Sequence, residues 1–583
     1  VYKRQPQDPD RVYYSSTPVK FSDDGGRTEG DATQGIHVDH HAMWIDPTDP
    51  DRLVAGNDGG IGVSFDRGGS FIFPNSIAIG QFYAIGLGMD VPYTVCGGLQ
   101  DNGTWCGPSR RAGGEINNHM WATINGGDGF WAVIDPRNAD VVYAESQGGN
   151  MARVDRSTGE RMTIQKPQWK EVWLAWEDSI LAIRGDREME QLTNAERQRV
   201  QRFRDAQVAD STEADMRWNW NTPMILSPHD PDVFYAGGNR VVKSTNRGED
   251  LEIISPDLTT QDAEKWAIAN SSTGTTGGIT RDATGAEHYT TIVALDESPL
   301  IRGMLIVGTD DGKVWLSPDD GGEWLDLTGR FPGVPEETYV SRVEPSNHDP
   351  DRFYVTFDGH RTNDFTPYVY VTDDRGETFR SISSNLPTGK PDFVHVIRED
   401  PINEDLLFVG TDVGVYVSTT RGGRWQPCLE GLPTTPVHDL KIHPRDRELV
   451  AGTHGRSIWI VDIAPLQELT DEVLAADLHF FTPKPGHQFG SPPIGGESTG
   501  HQWFGENSAP YGAGLVYHVG QAFADRIAEA TEAGEGQGEG DRPTAAQARR
   551  RPGGGPGARG SQGPQATLEI RGEDGEVLQT LDG

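Results

Sequence analysis

The sequence predicts an all-β fold built from repeated four-stranded sheets. One short turn occurs six times in the 583 residues, with the shared pattern Ser/Thr-x-Asp-x-Gly-x-Thr/Ser-aromatic. A second turn, of the Asp-Pro kind, recurs between apolar runs: 44 residues separate Asp46 from Asp90, and 45 separate Asp90 from Asp135. A period of about 40–45 residues with four short strands per unit is typical of β-propeller blades. We therefore expect one or more multi-bladed β-propellers.

The six copies of the first turn, known as the Asp-box, keep the pattern to different degrees. Four keep the Asp, whereas Asn246 and Thr420 replace it in the other two. The copies span residues 22–28, 64–71, 244–251, 317–324, 372–379 and 418–425. The carboxylate can accept hydrogen bonds from nearby backbone N–H groups, and the Gly can adopt a positive φ. We therefore interpret the boxes as structural turns in preference to catalytic or calcium-binding aspartates.

The strands of one blade can be placed between these two markers. They are predicted at Ala42–Ile45, Leu53–Gly56 and Ile61–Ser64, with a fourth strand beginning near Phe71. The box follows the Asp-Pro turn by 18 residues, from Asp46 to Ser64 and again from Asp400 to Ser418, so both markers belong to one blade. Nine such turns predict eight or nine blades. They form either most of a single ten-bladed ring or one seven-bladed ring with the remnant of another.

The rest of the chain divides by composition. Glu188–Gln207 is charged and poor in β-branched residues, which predicts a short helical insertion. Pro465–Ala476 has the apolar spacing of an amphipathic helix. We expect a sequencing-adapter remnant at 1–5, an N-terminally incomplete propeller region at 6–464, a helix and loop segment at 465–511, fragments of a truncated Ig-like β-sandwich at 512–520 and 566–583, and a disordered Gly/Glu/Pro/Arg-rich insertion at 521–565.

Charge and cysteine content restrict the function further. The formal net charge of −37 argues against nucleic acid as a partner, because phosphate would be repelled. No apolar run is long enough to span a membrane. Of three cysteines, Cys96 and Cys106 could face each other across a hairpin. We expect a secreted, periplasmic or cell-envelope protein whose signal peptide lies in a missing N-terminal part.

The two markers also indicate which face carries function. In a propeller blade the first–second and third–fourth strand connections share one face, so the Asp-Pro turns and the boxes lie together. Polar residues without a structural role gather on the opposite face, where we expect the ligand. The ligand-binding candidates there are Asp39, His40, His41, Asp58, Gln100, Asp101, Asn102, Asp128, Trp220, Asn221, Asp310, Asp311, His360, His454 and Arg456.

Carboxylates on that face are candidates for acid–base chemistry. Two carboxylates placed across a sugar ring are what glycoside hydrolysis requires. The catalytic candidates are Asp58, Asp128, Glu287 and Asp412. The sequence contains no Walker-type phosphate loop, which argues against phosphate chemistry of that kind.

His37, Asp39 and His41 raise the alternative of a metal site. On an extended strand the three side chains point the same way, and three protein ligands suffice for a catalytic zinc. No second His/Asp motif with ligand spacing accompanies them. We therefore predict neither a metal nor a cofactor.

Several stretches together resemble the Asp-box (BNR-type) β-propeller superfamily. They are Asp39–Pro47, Gly98–Gly103, Glu297–Pro299, Gly308–Gly312 and Gly452–Ser457. The resemblance covers about residues 6–520 and is strongest to the sortilin-like propellers of secreted bacterial proteins, often labelled glycosyl hydrolases. It implies a propeller that binds a peptide, protein or glycan on the face opposite the boxes.

A more distant resemblance, to xyloglucanase-like two-propeller enzymes, implies the alternative of a polysaccharide-cleaving glycoside hydrolase that uses two carboxylates on the same face. Thr411-Asp412-Val413-Gly414 and Asn57-Asp58-Gly59-Gly60 come nearest to one of that family's catalytic stretches, and neither matches it fully. The Arg-Ile-Pro motif of sialidases is absent. A third hypothesis is a cell-envelope interaction protein with no small-molecule site.

Overall fold

The computed structural model describes residues 2–15, 17–33, 35–74, 76–167, 169–185, 187–214, 216–262, 289–388, 391–428, 431–490, 504–526, 567–571 and 577–582. The chain divides into two compact units. The first contains residues 1–463 and 486–512, and the second contains residues 464–485 and 513–583. The first unit holds every candidate site residue named above that the structure describes.

Antiparallel sheets dominate the first unit, as the all-β propeller prediction requires. Two sheets precede residue 80. The first contains β1 Tyr2–Gln5, β2 Asp8–Tyr14, β3 Lys20–Ser22 and β4 Gly30–Asp31, and the second contains β5 His40–Ile45, β6 Leu53–Asn57 and β7 Gly60–Ser64. Residues 2–5, set apart in the sequence as an adapter remnant, pair with β2. Tyr13, Met43 and Leu53 form the apolar layer between these two N-terminal sheets.

Seven further sheets, which we number blades 1 to 7, follow in chain order. Blades 1 to 3 contain β8 Phe82–Leu87, β9 Thr94–Leu99, β10 Gly103–Pro108 and β12 Ala122–Asn125; β13 Gly129–Ile134, β14 Val141–Ser146, β15 Asn150–Asp155 and β16 Arg161–Thr163; and β17 Met224–Leu226, β18 Phe234–Gly237, β19 Val241–Ser244 and β20 Glu252–Ile253. The short strand β11, Glu115–Asn117, pairs with β37, Gly505–Asn507.

Blades 4 to 7 repeat the same order. They contain β21 Ile292–Glu297, β22 Leu305–Thr309, β23 Val314–Ser317 and β24 Leu325–Asp326; β25 Tyr339–Pro345, β26 Phe353–Asp358, β27 Tyr368–Thr372 and β28 Arg380–Ser381; β29 Val394–Glu399, β30 Leu407–Thr411, β31 Gly414–Ser418 and β32 Gln426–Cys428; and β33 Val437–His443, β34 Glu448–Thr453 and β35 Ile458–Asp462. The first strand of each blade lies beside the first strand of the next.

The seven blades close into a ring because blade 7 packs against blade 1. Ile85 N donates to Asp439 Oδ2 at 3.0 Å, and Tyr93 OH donates to Glu448 Oε2 at 2.9 Å. His443 Nε2 donates to the carbonyl oxygen of Gly88 at 2.9 Å. The sequence left a single large ring and a seven-bladed ring with a remnant as alternatives, and the described strands form a closed ring of seven with two sheets outside it.

A buried ion network joins the first strands of blades 5, 6 and 7. Arg398 donates to the carbonyl oxygen of Leu440 at 2.6 Å, to Asp439 at 2.9 Å and to Glu344. Arg342 lies 3.4 Å from the same Asp439 carboxylate. Since a buried charge is costly unless it is paired, this network ties three blades together at the centre of the ring.

The repeated turns all form the same hydrogen-bonded loop. In the box at 64–71, Asp66 Oδ1 accepts from Ser70 N at 2.8 Å, and Ser64 Oγ accepts from Gly68 N at 2.8 Å. Arg67 and Gly68 both have positive φ, so two successive residues adopt the left-handed conformation. Arg67 also donates to Asp51 in the Asp-Pro turn at 2.6 Å. This bond explains the constant 18-residue offset between the two markers.

The insertion between blades 2 and 3 contains more helix than the sequence predicts. Helix α1 spans Trp169–Arg184 and helix α2 spans Asn194–Ala214, with a 3₁₀ turn at Met189–Gln191 between them. The prediction of one helix at 188–207 therefore overlaps α2 and misses α1. Ile180 and Val200 pack between the helices, so tertiary contact supplies the stability that α1 lacks in its sequence pattern.

The second unit contains short elements. Helices α3 and α4 span Ala464–Gln467 and Asp471–Ala475, within the segment predicted as one amphipathic helix. Strands β36, Leu478–Phe480, and β38, Tyr517–Val519, pair with each other. Strands β39, Thr567–Arg571, and β40, Val577–Asp582, pair antiparallel within the segment 566–583. Most of the segment predicted to be disordered, 527–565, lies outside the described residues.

Cys96 and Cys106 form a disulfide across β9 and β10 of blade 1, where they are directly opposite each other. Both are buried against Ala132 and Val142 of blade 2. Cys428 is a free thiol. None of the described helices has the length and apolar character needed to cross a membrane.

Candidate functional site

The site lies where the second N-terminal sheet meets loops of the ring on the face opposite the boxes. His37 Nε2 donates to the carbonyl oxygen of Asp101 at 2.7 Å. Asn102 Nδ2 donates to the carbonyl oxygen of Asp58 at 3.0 Å. Residues 37–41 lead into β5, 57–60 connect β6 to β7, and 100–102 connect β9 to β10. Three segments far apart in sequence are therefore held together by hydrogen bonds from side chains to backbone carbonyls.

Three carboxylates converge between these loops. One oxygen each of Asp39, Asp58 and Asp101 lies within 4.8 Å of the other two. Asp128, at the start of blade 2, accepts a hydrogen bond from Asp101 N at 3.2 Å. We call Asp39, Asp58, Asp101 and Asp128 the carboxylate cluster. All four are half-buried, so solvent reaches a concentration of negative charge.

Two members of the cluster have unusual backbone conformations. Asp39 has a φ of 56° and Asp101 a φ of 63°, both in the left-handed region. Asp tolerates this region better than most residues, but it still costs free energy. The flanking hydrogen bonds of His37 and Asn102 hold the loops in this form. The cluster is therefore imposed by its surroundings rather than by local preference.

The environments of the carboxylates differ. Burial, and then the charges of Asp128 and Asp58, raise the pKa of Asp101 to about 6. Asp58 instead has a hydrogen-bonding partner, since His41 Nε2 lies 2.8 Å from its Oδ1. One carboxyl thus keeps its proton up to about pH 6, and a neighbouring carboxylate is paired with an imidazole.

Asp128 connects the cluster to the mouth of the ring. Its Oδ2 accepts from Trp220 Nε1 at 2.9 Å, and its backbone N donates to Gln147 Oε1 at 2.8 Å. Next to Asp101, Gln100 Oε1 accepts from Tyr83 OH at 2.6 Å. Trp220 and Tyr83 are half-buried, so aromatic rings border the cluster on its ring side.

A row of rings continues from Tyr83 across blades 7, 6 and 5. Successive ring centroids are 4.0–5.0 Å apart. The row, which we call the imidazole arc, consists of Tyr83, His454, His438, His395, Phe393 and His360. His438 and His454 stack nearly parallel, with 10° between their planes.

Two imidazoles of the arc, His438 and His454, are uncharged at neutral pH. Burial, and then the neighbouring His395 and His454, hold the pKa of His438 well below its ordinary value. Burial lowers the pKa of His454 to about 4. Asp412 lies 3.3 Å from His395, and Asp358 lies 2.7 Å from His360. Burial acts to raise the pKa of Asp358, but the hydrogen bond from His360 and the charges of His395, His360 and Arg361 together outweigh it, and the pKa is lowered.

Several predicted site residues lie elsewhere or serve the fold. Asp310 accepts from Thr291 N and Oγ1, both at 2.7 Å, and Asp311 accepts from Thr260 N at 2.7 Å. Both aspartates are buried, so they hold loops of blades 3 and 4 in place. Asp412 belongs to the end of the arc rather than to the cluster. Glu287 lies outside the described residues.

The other predicted residues take intermediate positions. Arg456 is exposed at the rim, next to His454. Asn221 is half-buried beside Trp220, and its Oδ1 has no partner within the described part of the chain. His40 is buried, both of its ring nitrogens lack a partner there, and burial lowers its pKa. These three residues border the site and contribute no carboxylate to it.

The structure does not bring His37, Asp39 and His41, the possible zinc ligands, together at one site. His37 bonds to the Asp101 carbonyl and His41 to the Asp58 carboxylate. Only Asp39 joins a compact ligand group in the described residues, and its partners are Asp58 and Asp101. Three carboxylate oxygens are donors for a hard cation such as Ca²⁺ rather than for a His-bound zinc. They can equally share a proton, which the raised pKa of Asp101 reflects.

Sequence reasoning missed Tyr83 and His395 as site residues. Each lies near the start of a blade's first strand, the position that His438 occupies in blade 7. Aligning the seven first strands on their shared bulge would have brought these three residues into one column. The convergence of Asp39, Asp58 and Asp101 has no such signal, since it depends on how two sheets meet.

Comparisons with known proteins add limited information. No protein-family model matches the chain, and no curated protein matches it. Among solved structures, the chain is similar to a GH74 enzyme from Niastella koreensis, with 11% identity, a TM-score of 0.25 and coverage of 79% of this chain and 76% of that one. It is also similar to the GH74 xyloglucanase from Xanthomonas campestris, with 14% identity, a TM-score of 0.23 and coverage of 79% and 72%. At these scores the likeness carries no argument about function.

Proposed function

We propose that this protein is a glycoside hydrolase that cleaves a polysaccharide at the carboxylate cluster. The observation that carries the proposal is the convergence of Asp39, Asp58 and Asp101, whose oxygens lie within 4.8 Å, combined with an Asp101 pKa of about 6. A glycosidase requires one carboxyl that is protonated near neutral pH and another that is ionised. Catalytic pairs are recognised by environments that drive two pKa values apart.

The roles follow from these environments. Asp101 is the general acid, because its raised pKa keeps a proton available for the leaving oxygen. Asp58, hydrogen-bonded by His41, is the nucleophile. Asp39 contributes negative charge close to the sugar, where the oxocarbenium-like transition state develops positive charge.

The short distance between the carboxyl groups favours a retaining mechanism. Retaining enzymes place the two groups about 5–5.5 Å apart, whereas inverting enzymes need about 6.5–9.5 Å to admit a water molecule. Oxygens within 4.8 Å leave no space for that water between Asp58 and Asp101. The first sugar product should therefore keep the anomeric configuration of the substrate.

The test is turnover on a panel of soluble polysaccharides, followed by reducing-end release. We expect activity from the wild-type chain and a loss of at least 100-fold in kcat for Asp101→Asn and Asp58→Asn, in line with the 10²–10⁴-fold typical of acid–base groups. Asp250→Asn removes an exposed carboxylate outside the site and is the control. NMR of the first-formed anomer tests retention. A folded wild-type protein without turnover on any member of the panel would refute the hydrolase.

A second candidate is a binding module for a peptide, protein or glycan, as the sortilin-like resemblance suggests. The imidazole arc favours this reading, because it is a largely half-buried, ring-lined surface, and the compact group of three carboxylates found in the described residues lies outside it. Binding of a polysaccharide or peptide by a wild-type protein that cleaves none of them would support this candidate over the first.

We also propose that the protein functions outside the cytoplasm. The buried disulfide between Cys96 and Cys106 is of a kind that persists in oxidising compartments. The test is the intact mass of protein recovered from the periplasm, measured before and after alkylation. Alkylation of all three cysteines without prior reduction would contradict the proposal.

A further inference from the structure

The imidazole arc lies beside the carboxylate cluster and is joined to it. Tyr83, the first ring of the arc, donates to Gln100, whose chain neighbour is Asp101. Both features lie on the face opposite the boxes, at the starts of first strands or in loops that connect middle strands. A chain-like ligand held at Asp101 would therefore cross the arc if it extended over the mouth of the ring.

The arc offers hydrogen-bonding edges rather than open ring faces. The faces of His438 and His454 are occupied by each other. Both nitrogens of His454 are bonded, to the Gln81 amide at 2.6 Å and to the Phe82 carbonyl at 3.3 Å. His438 has no hydrogen bond from its ring nitrogens within the described part of the chain, and it is half-buried at the mouth. The His438 ring is thus held in place by stacking, and its two nitrogens remain able to hydrogen-bond a ligand.

The charges around the arc restrict the ligand. The four aspartates of the cluster lie on one side, and Asp412 and Asp358 lie on the other. The chain as a whole carries a net charge of −37. Arg456 near His454 and Arg361 next to His360 are outnumbered by these six aspartates, so carboxylate or sulfate groups on a ligand would meet a net negative face and be repelled. Hydroxyl groups can both donate to and accept from a neutral imidazole, and because they are uncharged the aspartates do not repel them.

We infer that the imidazole arc, through His438, binds an uncharged stretch of the glycan next to the bond that the carboxylate cluster cleaves. The inference rests on the proposed function and adds to it a place for the substrate chain and a class of substrate without acidic groups. His438 is the specificity-determining residue, since within the described residues it is the imidazole of the arc with neither nitrogen hydrogen-bonded, whereas His395, His360 and His454 each use at least one. Tyr83 positions Gln100 at the junction between arc and cluster.

The competing explanation is that the arc only packs blades together. Two substitutions at one position separate the explanations. His438→Phe keeps a flat ring between His395 and His454 but removes both nitrogens, so packing survives and hydrogen bonding does not. His438→Ala removes both the packing of the ring and its hydrogen bonding. His229→Ala is the control, because His229 lies in an Asp-Pro-type turn on the opposite face and its ring Nε2 donates to the Ser298 carbonyl at 2.8 Å.

The experiment measures binding in an Asp101→Asn background, which prevents turnover, and KM in the otherwise wild-type chain. The probes are hydroxyethylcellulose, galactomannan and arabinoxylan as uncharged polymers, and polygalacturonate and alginate as anionic ones. We expect an uncharged polymer to bind at least about tenfold more tightly than either anionic one. His438→Phe should weaken that binding about tenfold and raise KM, with the thermal midpoint unchanged, as for one lost hydrogen-bonding group in a wet site.

The outcomes separate this inference from the proposed function. If the wild type cleaves a polymer but His438→Phe and His438→Ala leave binding and KM unchanged, the arc is structural and the inference is wrong while the hydrolase stands. Equal or tighter binding of polygalacturonate would overturn the substrate class. If an uncharged polymer binds through His438 but is not cleaved, the hydrolase fails and the binding site remains. If no polymer binds, both fail.

Discussion

Replacing Asp101 by Asn should stabilise the protein at alkaline pH and leave its stability at acidic pH unchanged. Asp101 occupies a left-handed backbone position, with a φ of 63°, and Asn is among the residues that tolerate it best. The substitution therefore removes the charge with little change in shape. It isolates the repulsion between the converging carboxylates from any effect on the loop.

The magnitude follows from the raised pKa. The pKa of Asp101 lies at about 6 in the folded protein, against 3.8 for an ordinary Asp. At about 1.4 kcal/mol per pH unit, ionisation costs the folded state about 3 kcal/mol. Because Asp101 is only half-buried, solvent screening reduces this to about 1–2 kcal/mol. The folded pKa is the higher one, so the stability is fully present below pH 3.8 and is lost as pH rises through 6.

The assay is urea unfolding followed by tryptophan fluorescence at pH 4 and at pH 8. We expect Asp101→Asn to raise the free energy of unfolding by about 1–2 kcal/mol at pH 8 and to change it little at pH 4. The control Asp250→Asn should change it by less than about 0.5 kcal/mol at both pH values. Because the chain has two compact units, the comparison uses the transition that contains the ring.

Two results would refute this reasoning. A loss of stability at pH 8 would mean that the Asp101 carboxylate makes net favourable contacts, for example with a bound cation. An equal gain at both pH values would mean that the effect comes from the backbone and not from charge. Addition of CaCl₂ distinguishes a cation, since only a bound cation would stabilise the wild type more than the variant.

The remaining predictions concern the fold. Arg398→Ala should destabilise the ring by about 3–5 kcal/mol in urea unfolding, because it removes the cation paired with the buried Glu344 carboxylate and leaves Asp439 with the more distant Arg342. Arg380→Ala at the surface should cost less than about 1 kcal/mol, and equal effects would mean that the network is not buried charge. Replacing both Cys96 and Cys106 by Ala should lower the stability of blade 1 by roughly 2–4 kcal/mol, and unchanged stability under oxidising conditions would contradict a native disulfide. The pKa of Asp66 is lowered to about 2, chiefly by hydrogen bonds from Ser70, so its contribution to stability is present above pH 3.8 and is lost as pH falls through 2. Asp66→Asn should therefore reduce the loss of thermal stability at acidic pH in a thermal-shift profile. A profile parallel to that of the wild type would be evidence that the Asp66 carboxylate does not stabilise the turn.

The periodic features of the fold were predictable because they depend on local chemistry. The strands predicted around Ala42–Ile45 and Leu53–Gly56 differ from the observed strands by at most two residues. The boxes were predictable as turns, since Asp and Gly supply the hydrogen bonds and the positive φ within a few residues. Helix α1 was not, because it packs against α2 and its stability comes from that contact.

The candidate site was predictable only in part. The choice of face followed from strand connectivity, and it directed attention to Asp39, Asp58, Asp101 and Asp128. Within that face, sequence reasoning gave Asp310, Asp311 and Asp412 the same weight as the cluster. The carboxylates of Asp310 and Asp311 accept hydrogen bonds that hold loops in place, and these bonds depend on neighbours such as Thr260 that are distant in sequence.

By itself, the sequence determined the repeating unit, its turn chemistry and the face on which polar residues remain uncommitted, because each of these is set by residues within one blade. Tertiary structure alone decided the rest. It brought Asp39 and Asp58 of the second N-terminal sheet against Asp101 of blade 1, and it placed His438 between His395 and His454. The physical reason is that distances between blades depend on how sheets pack and close, which no local pattern of residues encodes.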